Sequence, residues 1–232
     1  MASLAGLIAG IVVGGLLGRV VMRVSGFTAG SALVGASTAN GNRVGDITLN
    51  GTLVLVLFVG VPAGLVGGFG YAAVEPWLRR LRPWHGLAFG AALFATFGFA
   101  VVDPLNIDFR RFGLTALNVV MFAGLFIVFG VLTAWLFERL RAGVGGAGVR
   151  ARATAIAAWL VLGPAAVATA LVVVGSGLEP LLIILLVLPF VIAAIARLRG
   201  LPTRIGYAAL AVPLLAGAAR TFGGVAEVLS GF

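Results

Sequence analysis

Five polar residues of this sequence could form one binding site, because all of them are predicted at helix ends on the same side of a membrane. Arg19 and Arg23 are four residues apart and therefore project from one side of a helix. A guanidinium at membrane depth is costly unless it has a counter-ion or a path to water. If the first, third and fourth helices are neighbours, both arginines can converge with Asp103, Asp108 and Asn118. The pocket predicted there would open outward and bind an anion or a polar solute.

A simpler interpretation of the same five residues stays open. The arginines would extend to lipid phosphates, the aspartates would cap helices, and Asn118 would hydrogen-bond to a neighbouring backbone. The step from Asp103 to Pro104 is typical of such a cap, since proline fits the first position of a helix. Under this interpretation the residues position helices and bind no ligand.

Missing residue types exclude several kinds of site. The chain has no cysteine, which excludes disulfides, iron–sulfur ligation and thiol catalysis. Its single histidine, His85, cannot supply a multi-histidine zinc site or both ligands of a haem. Ser176 and His85 are predicted on opposite sides of a membrane, so they do not form an intramembrane serine protease pair. We therefore expect no metal, no cofactor and no enzymatic activity.

The composition predicts that the helices carrying these residues lie in lipid. Of the 232 residues, 61% are hydrophobic and 10% are charged, whereas a soluble domain is about one quarter charged. A bilayer core of roughly 30 Å takes about 20 helical residues. We therefore expect an all-α integral membrane protein, with residues 1–232 forming one polytopic bundle of six or seven helices. The predicted spans are 4–24, 52–74, 86–102, 114–137, 154–174, 181–196 and, less long than the others, 205–219.

Arginine placement predicts the orientation of these spans. Every basic residue is arginine, and arginine near membrane ends is held on the cytoplasmic side. The connections after the second, fourth and sixth spans hold ten arginines against Glu75 and Glu138, whereas the opposite face holds six against five acids. We therefore expect the protein in the plasma or inner membrane of the cell, with its amino terminus on the cytoplasmic side. Arg19 and Arg23 are the exceptions to the bias.

Aromatic residues are predicted to anchor the arginine-rich face at the membrane interface. Trp77, Trp84 and Trp135 all fall there, and His85 beside Trp84 is interpreted as solvated or touching headgroups. The arginine loops are expected to contact anionic lipid headgroups; an acidic cytoplasmic partner is the alternative. Short loops of this kind do not form a nucleic-acid-binding surface.

Glycines at strict four-residue spacing form the most specific pattern in the chain. They lie on one face of each predicted helix and permit close backbone approach, which membrane helices use in place of hydrophobic burial. The first span would pack against the second, or against another protein; a pore-lining or flexible wall is the third alternative. The ladder residues are Gly6, Gly10, Gly14 and Gly18 in the first span and Gly60, Gly64 and Gly68 in the second, with a looser set at Gly86, Gly90 and Gly98.

The longest connection, residues 25–51, is predicted to form an ordered cap on the outer side. The dipeptide Asn40–Gly41 favours a two-residue turn, and β-branched residues flank it, so a short β-hairpin is one expectation and a flexible polar loop the other.

The features taken together predict a non-catalytic membrane protein acting as a structural or interaction subunit, in a homo-oligomer or with a membrane-protein partner. The alternative is a small-solute permease, or the substrate-binding membrane subunit of a transporter, with the polar pocket on its outer side.

Overall fold

The protein folds into long apolar helices that run back and forth beside one another. A computed structural model describes residues 1–30, 36, 48–104, 113–143 and 203–230, and in these ranges the regular structure is entirely helical. The helices are α1 (Ala2–Thr28), α2 (Leu49–Leu81), α3 (His85–Ala100), α4 (Thr115–Gly143) and α5 (Thr203–Ser230).

Four helices of the described part are long and apolar enough to cross a membrane. They are α1, α2, α4 and the part of α5 from Ala211 to Ser230. The third predicted span is helical but shorter: 13 α-helical residues followed by a three-residue 3-10 turn, or about 25 Å. The predicted spans 154–174 and 181–196 lie outside the described residues. The prediction of an all-helical fold with helices long and apolar enough to cross a membrane is confirmed for the described residues.

The boundaries of the outer connection differ from those predicted. We placed its start at Ser25, but α1 continues to Thr28, and α2 begins at Leu49 with Thr48 as its capping residue. The Thr48 hydroxyl accepts a hydrogen bond from the Gly51 N–H at 3.2 Å, which satisfies one of the free amides of the first turn. The predicted hairpin around Asn40–Gly41 lies outside the described residues.

The packing of α1 against α2 is backbone to backbone. A Cβ atom on Gly64 would lie 2.6 Å from the Gly6 carbonyl oxygen, and one on Gly68 would lie 2.8 Å from the Ser3 Cα. Gly60 meets the carbonyl oxygen of Gly10 in the same way, at 2.8 Å. These distances leave no room for any side chain, so each glycine supplies the space that its partner helix fills. The order of contacts shows that the two helices run antiparallel.

Both helices widen into π-helix where they face each other. The π segments are Gly10–Leu17 in α1 and Val56–Gly60 in α2, and the two pack together. Pro62 lies two residues after the second segment. It has no N–H to donate, and its ring would clash with the carbonyl four residues earlier, at Phe58. A wider turn relieves that clash. α1 has no proline, and we have no physical account of its longer π segment beyond this pairing.

The next pair, α3 and α4, uses the same kind of contact. A Cβ atom on Gly90 would lie 2.7 Å from the Ile127 Cα, and one on Gly130 would lie 2.6 Å from the Gly90 Cα. α4 also fits the ring of Phe129 into the space beside Gly67 of α2. Around it lies a core of buried apolar side chains from α1 to α4, which includes Val13, Tyr71, Phe89, Leu93 and Phe129.

A buried threonine of α5 hydrogen-bonds to the end of α3. The Thr221 hydroxyl accepts a hydrogen bond from the Phe99 N–H at 2.9 Å and donates to the Ala95 carbonyl at 3.1 Å. Phe99 lies in the 3-10 turn at which α3 ends, where backbone groups lose their helical partners. Thr221 therefore closes the end of α3 from outside the helix.

Candidate functional site

Two polar regions lie at opposite ends of the helices. The charged end is defined by Glu75, Arg79, Arg82, Glu138 and Arg141. The Asn118 end is defined by Arg19, Ser25, Thr48, Gly113 and Asn118. Because α1 and α2 are antiparallel, the last turns of α1 and the first turn of α2 share the Asn118 end.

At the charged end, Glu75 is buried and accepts from two helices. Arg79, one turn further along α2, donates from Nε to Glu75 Oε1 at 2.9 Å and also from Nη2. Arg141 of α4 approaches the same oxygen at 3.6 Å. A buried carboxylate needs such partners because its desolvation is expensive. The ion pairs therefore fix the end of α4 against α2.

Glu138 forms the second ion pair of the charged end. It accepts from Arg82, and Nε2 of His85 lies 3.5 Å from its Oε1. Of the two expectations for His85, solvation is wrong: its side chain is 14% exposed, and both ring nitrogens are buried without a hydrogen-bond partner among the described residues. Contact with headgroups stays a prediction. Here the sequence analysis missed the site, although the spacing of Glu75 and Arg79 is a known signal for a helical ion pair.

Exposed basic and aromatic side chains surround these ion pairs. Arg139 lies over the ring of Trp135, with its Cζ atom 5.4 Å from the ring centroid. Trp135 is 51% exposed and Trp84 is 64% exposed, while Arg80 is exposed as well. The charged end therefore carries guanidinium groups beyond those that the carboxylates hold.

At the Asn118 end, the side chains of α1 and α4 are joined by a short hydrogen bond. Ser25 Oγ donates to Asn118 Oδ1 at 2.6 Å, and Asn118 is buried. Gly113, which has a φ of +76°, brings the chain close to Ser25 and Thr28 just before α4 begins. A side chain at that φ would be strained, so the glycine allows this approach. The structure describes a side-chain partner for Asn118 on α1, and its predicted hydrogen bond to a neighbouring backbone stays a prediction.

Arg19 lies in the same region but has a different environment. Its side chain is partly buried, and its Nε has almost no exposed surface and no hydrogen-bond partner in the part of the chain that the structure describes. Its guanidinium lies against Gly51 in the first turn of α2, where a Cβ atom would collide with Nη2 and lie 3.1 Å from Cζ. Among the described residues, no carboxylate is within ion-pair distance of it.

The remaining members of the predicted pocket are placed separately. Arg23 is exposed and stacks over Phe27, with Cζ 5.1 Å from the ring centroid. Asp103 follows the end of α3 and is partly buried, whereas Asp108 lies outside the described residues. The structure thus brings Asn118 to Ser25 and Arg19 to Gly51, and the meeting of all five predicted residues stays a prediction.

Comparison of the chain with protein-family models, with curated proteins and with solved structures finds no match.

Proposed function

We propose that this chain is a non-catalytic subunit of a membrane assembly, and that it supplies a rigid helical body for a second copy of itself or for another membrane protein. The observation that carries the proposal is the backbone contact between α1 and α2 at Gly6, Gly10 and Gly64. Helices that touch through their backbones cannot slide or separate without losing that contact. The ion pairs of Glu75 add α4 to the same body.

The measurement that tests this proposal is the native mass of the purified protein, with crosslinking in the membrane as a second readout. We expect a stable oligomer or a co-purifying membrane protein. A strictly monomeric species at every detergent concentration, with no crosslinked product, would remove the proposal.

The proposed topology has the charged end in the cytoplasm, because its arginines would be retained there. The bundle would be completed to six or seven helices by residues 154–174 and 181–196, and a hairpin around Asn40–Gly41 would cover the outer end. The absence of cysteine makes the orientation easy to test. An impermeant maleimide should label Thr28→Cys in intact cells, and Leu81→Cys only after permeabilisation; the reverse pattern would invert the topology.

The proposed lipid partners are anionic headgroups at the charged end. Arg80 and Arg139 are exposed there, beside the exposed rings of Trp84 and Trp135. Indole rings favour the headgroup level, and guanidinium groups favour phosphate. Retention of phosphatidylglycerol should fall in the Arg80→Gln, Arg139→Gln double variant and not in Arg220→Gln, whose arginine is exposed on α5.

A second candidate function is binding of a small solute at the Asn118 end, as in a permease or in the membrane subunit of a transporter. The observation that favours it is Arg19, a partly buried cation in a membrane-spanning helix with no described counter-ion. Flux of a solute into proteoliposomes, lost in Arg19→Gln, would support transport.

A further inference from the structure

We propose that Arg19 is the core of an oxyanion-binding site between α1 and α2, filled by a phosphate group. The site rests on neither oligomerisation nor flux, and it names the ligand class for the second candidate function. Arg19 lies nine residues before the end of α1, which is about 14 Å of helix. It lies level with the first turn of α2, where a guanidinium needs a counter-ion or a path to water.

The environment of Arg19 separates it from the other arginines of the described part. Arg79 and Arg141 share the carboxylate of Glu75, and Arg82 pairs with Glu138. Arg23 is exposed and stacks on an aromatic ring. Arg19 alone among these combines a covered Nε with the lack of any described hydrogen-bond or ion-pair partner. A covered N–H of a charged group without a partner is unfavourable, so an anion in contact with the guanidinium stabilises this arrangement.

A glycine, Gly51, leaves the space in which the Arg19 guanidinium lies. Gly51 is the third residue of α2, and any side chain there would collide with Nη2 of Arg19. The guanidinium is therefore held beside the first turn of a 33-residue helix, which is the positive end of its dipole. The guanidinium and the positive end of α2 repel each other when no anion is bound. A bound anion is attracted to both of them and offsets that repulsion.

Phosphate is the oxyanion that we assign to this site. A guanidinium presents its N–H groups in a planar fork that matches two oxygens of a phosphate, as it does two oxygens of a carboxylate, and a phosphate keeps further oxygens for a second donor. The Thr48 hydroxyl lies at the same first turn of α2, beside Gly51. The phosphate can come from the headgroup of a phospholipid or from a free anion in solution, and the two sources are separable by experiment.

The test uses the full-length protein with two probes. Inorganic phosphate is titrated by calorimetry into protein in a zwitterion-free, phosphate-free detergent, and phosphatidylglycerol retention is measured by native mass spectrometry from nanodiscs. Both measurements use the Arg80→Gln, Arg139→Gln background, so that the headgroup contacts proposed at the charged end do not contribute. Arg19→Gln removes the charge and keeps most of the side chain. Arg23→Gln, one turn further on the same helix and exposed, is the matched control.

We expect Arg19→Gln to weaken binding of one probe at least tenfold and Arg23→Gln to leave it within twofold. Loss with inorganic phosphate identifies a free-anion site; loss confined to the phospholipid identifies a lipid site. Gly51→Ala keeps the charge of Arg19 but places a methyl group where the guanidinium lies, so it should also weaken binding. This second variant tests the proposal even if Arg19→Gln fails to fold. Binding that is unchanged in both variants, or absent from the wild type with both probes, overturns the proposal without touching the proposed assembly.

Discussion

The Thr221 hydroxyl of α5 accepts a hydrogen bond from the backbone N–H of Phe99 at 2.9 Å, at the point where α3 ends. The hydroxyl is fully buried and also donates to α3, so both of its hydrogen-bonding functions are used. Thr133 of α4 is equally buried, yet its hydroxyl has no hydrogen-bond partner among the residues that the structure describes. The two threonines provide a matched pair for measuring what a hydroxyl contributes inside this protein.

Replacing Thr221 by valine should destabilise the protein, and replacing Thr133 by valine should not. Valine keeps the shape but leaves the Phe99 N–H without its acceptor, which costs about 1–3 kcal/mol of the free energy of unfolding. At Thr133 the same change removes an unsatisfied hydroxyl, so stability should be unchanged or higher. Thermal unfolding of both variants in one detergent measures this, and equal losses would contradict it.

Replacing Gly64 by alanine should destabilise the contact of α1 with α2. The added Cβ atom would meet the backbone of Gly6 at 2.6 Å, and overpacking of this kind costs roughly 1–3 kcal/mol. Gly124→Ala of α4 is the control, because a Cβ atom there meets nothing within 4 Å. A similar loss of melting temperature in both variants would argue against the close packing of the two backbones.

Replacing Glu75 by glutamine should loosen the end of α4. Arg79 and Arg141 would lose the carboxylate that they share, and we expect a loss of about 1–2 kcal/mol, less than for a fully buried pair because both arginines are half exposed. Glu138→Gln should cost less than 1 kcal/mol, since that carboxylate is 41% exposed. Hydrogen exchange of the last turns of α4 measures both; a larger effect from Glu138→Gln would reverse the assignment.

Replacing Ser25 by alanine should separate α1 from α4 at the Asn118 end. Asn118 is buried and accepts the Ser25 hydroxyl, so losing this donor should cost about 1–2 kcal/mol. Thr28→Ala, three residues further, removes only hydrogen bonds to carbonyls of its own helix, and we expect less than 0.5 kcal/mol. Chemical unfolding of the two variants compares them; equal stability of Ser25→Ala and the wild type would contradict the prediction.

The apolar runs were enough to predict the helices, because a segment of about 20 such residues has one stable form in lipid. The four-residue glycine spacing placed Gly6, Gly10 and Gly14 on one face, but spacing cannot tell a helix which partner it meets. Which helix packs against α1 is decided by the contacts of Gly10 with Gly60 and Gly64, and these contacts exist only in the folded structure. The π segment at Gly10–Leu17 left no mark in the sequence that we could recognise.

The polar residues were harder to place than the apolar ones. A lone histidine beside a tryptophan is typical of a membrane interface, yet His85 is covered because Glu138 arrives from a helix more than 50 residues away. Arg19 and Arg23 look equivalent in the sequence, at the same end of one helix. They differ in the structure because Gly51 of α2 leaves room beside Arg19 only. Such differences come from the neighbouring helix and cannot be read from local spacing.

The paired π segments are also the places where this chain can lose a single residue without disturbing its helix packing. A π turn holds one residue more than the α-helical hydrogen-bond pattern needs. Removing one residue from Val56–Gly60 would therefore let that turn close into α-helix, with the glycine faces on either side kept in register. The same deletion elsewhere in α2 would rotate every later side chain away from its neighbours. In a lineage of related sequences, single-residue gaps should accordingly collect at these two wide turns.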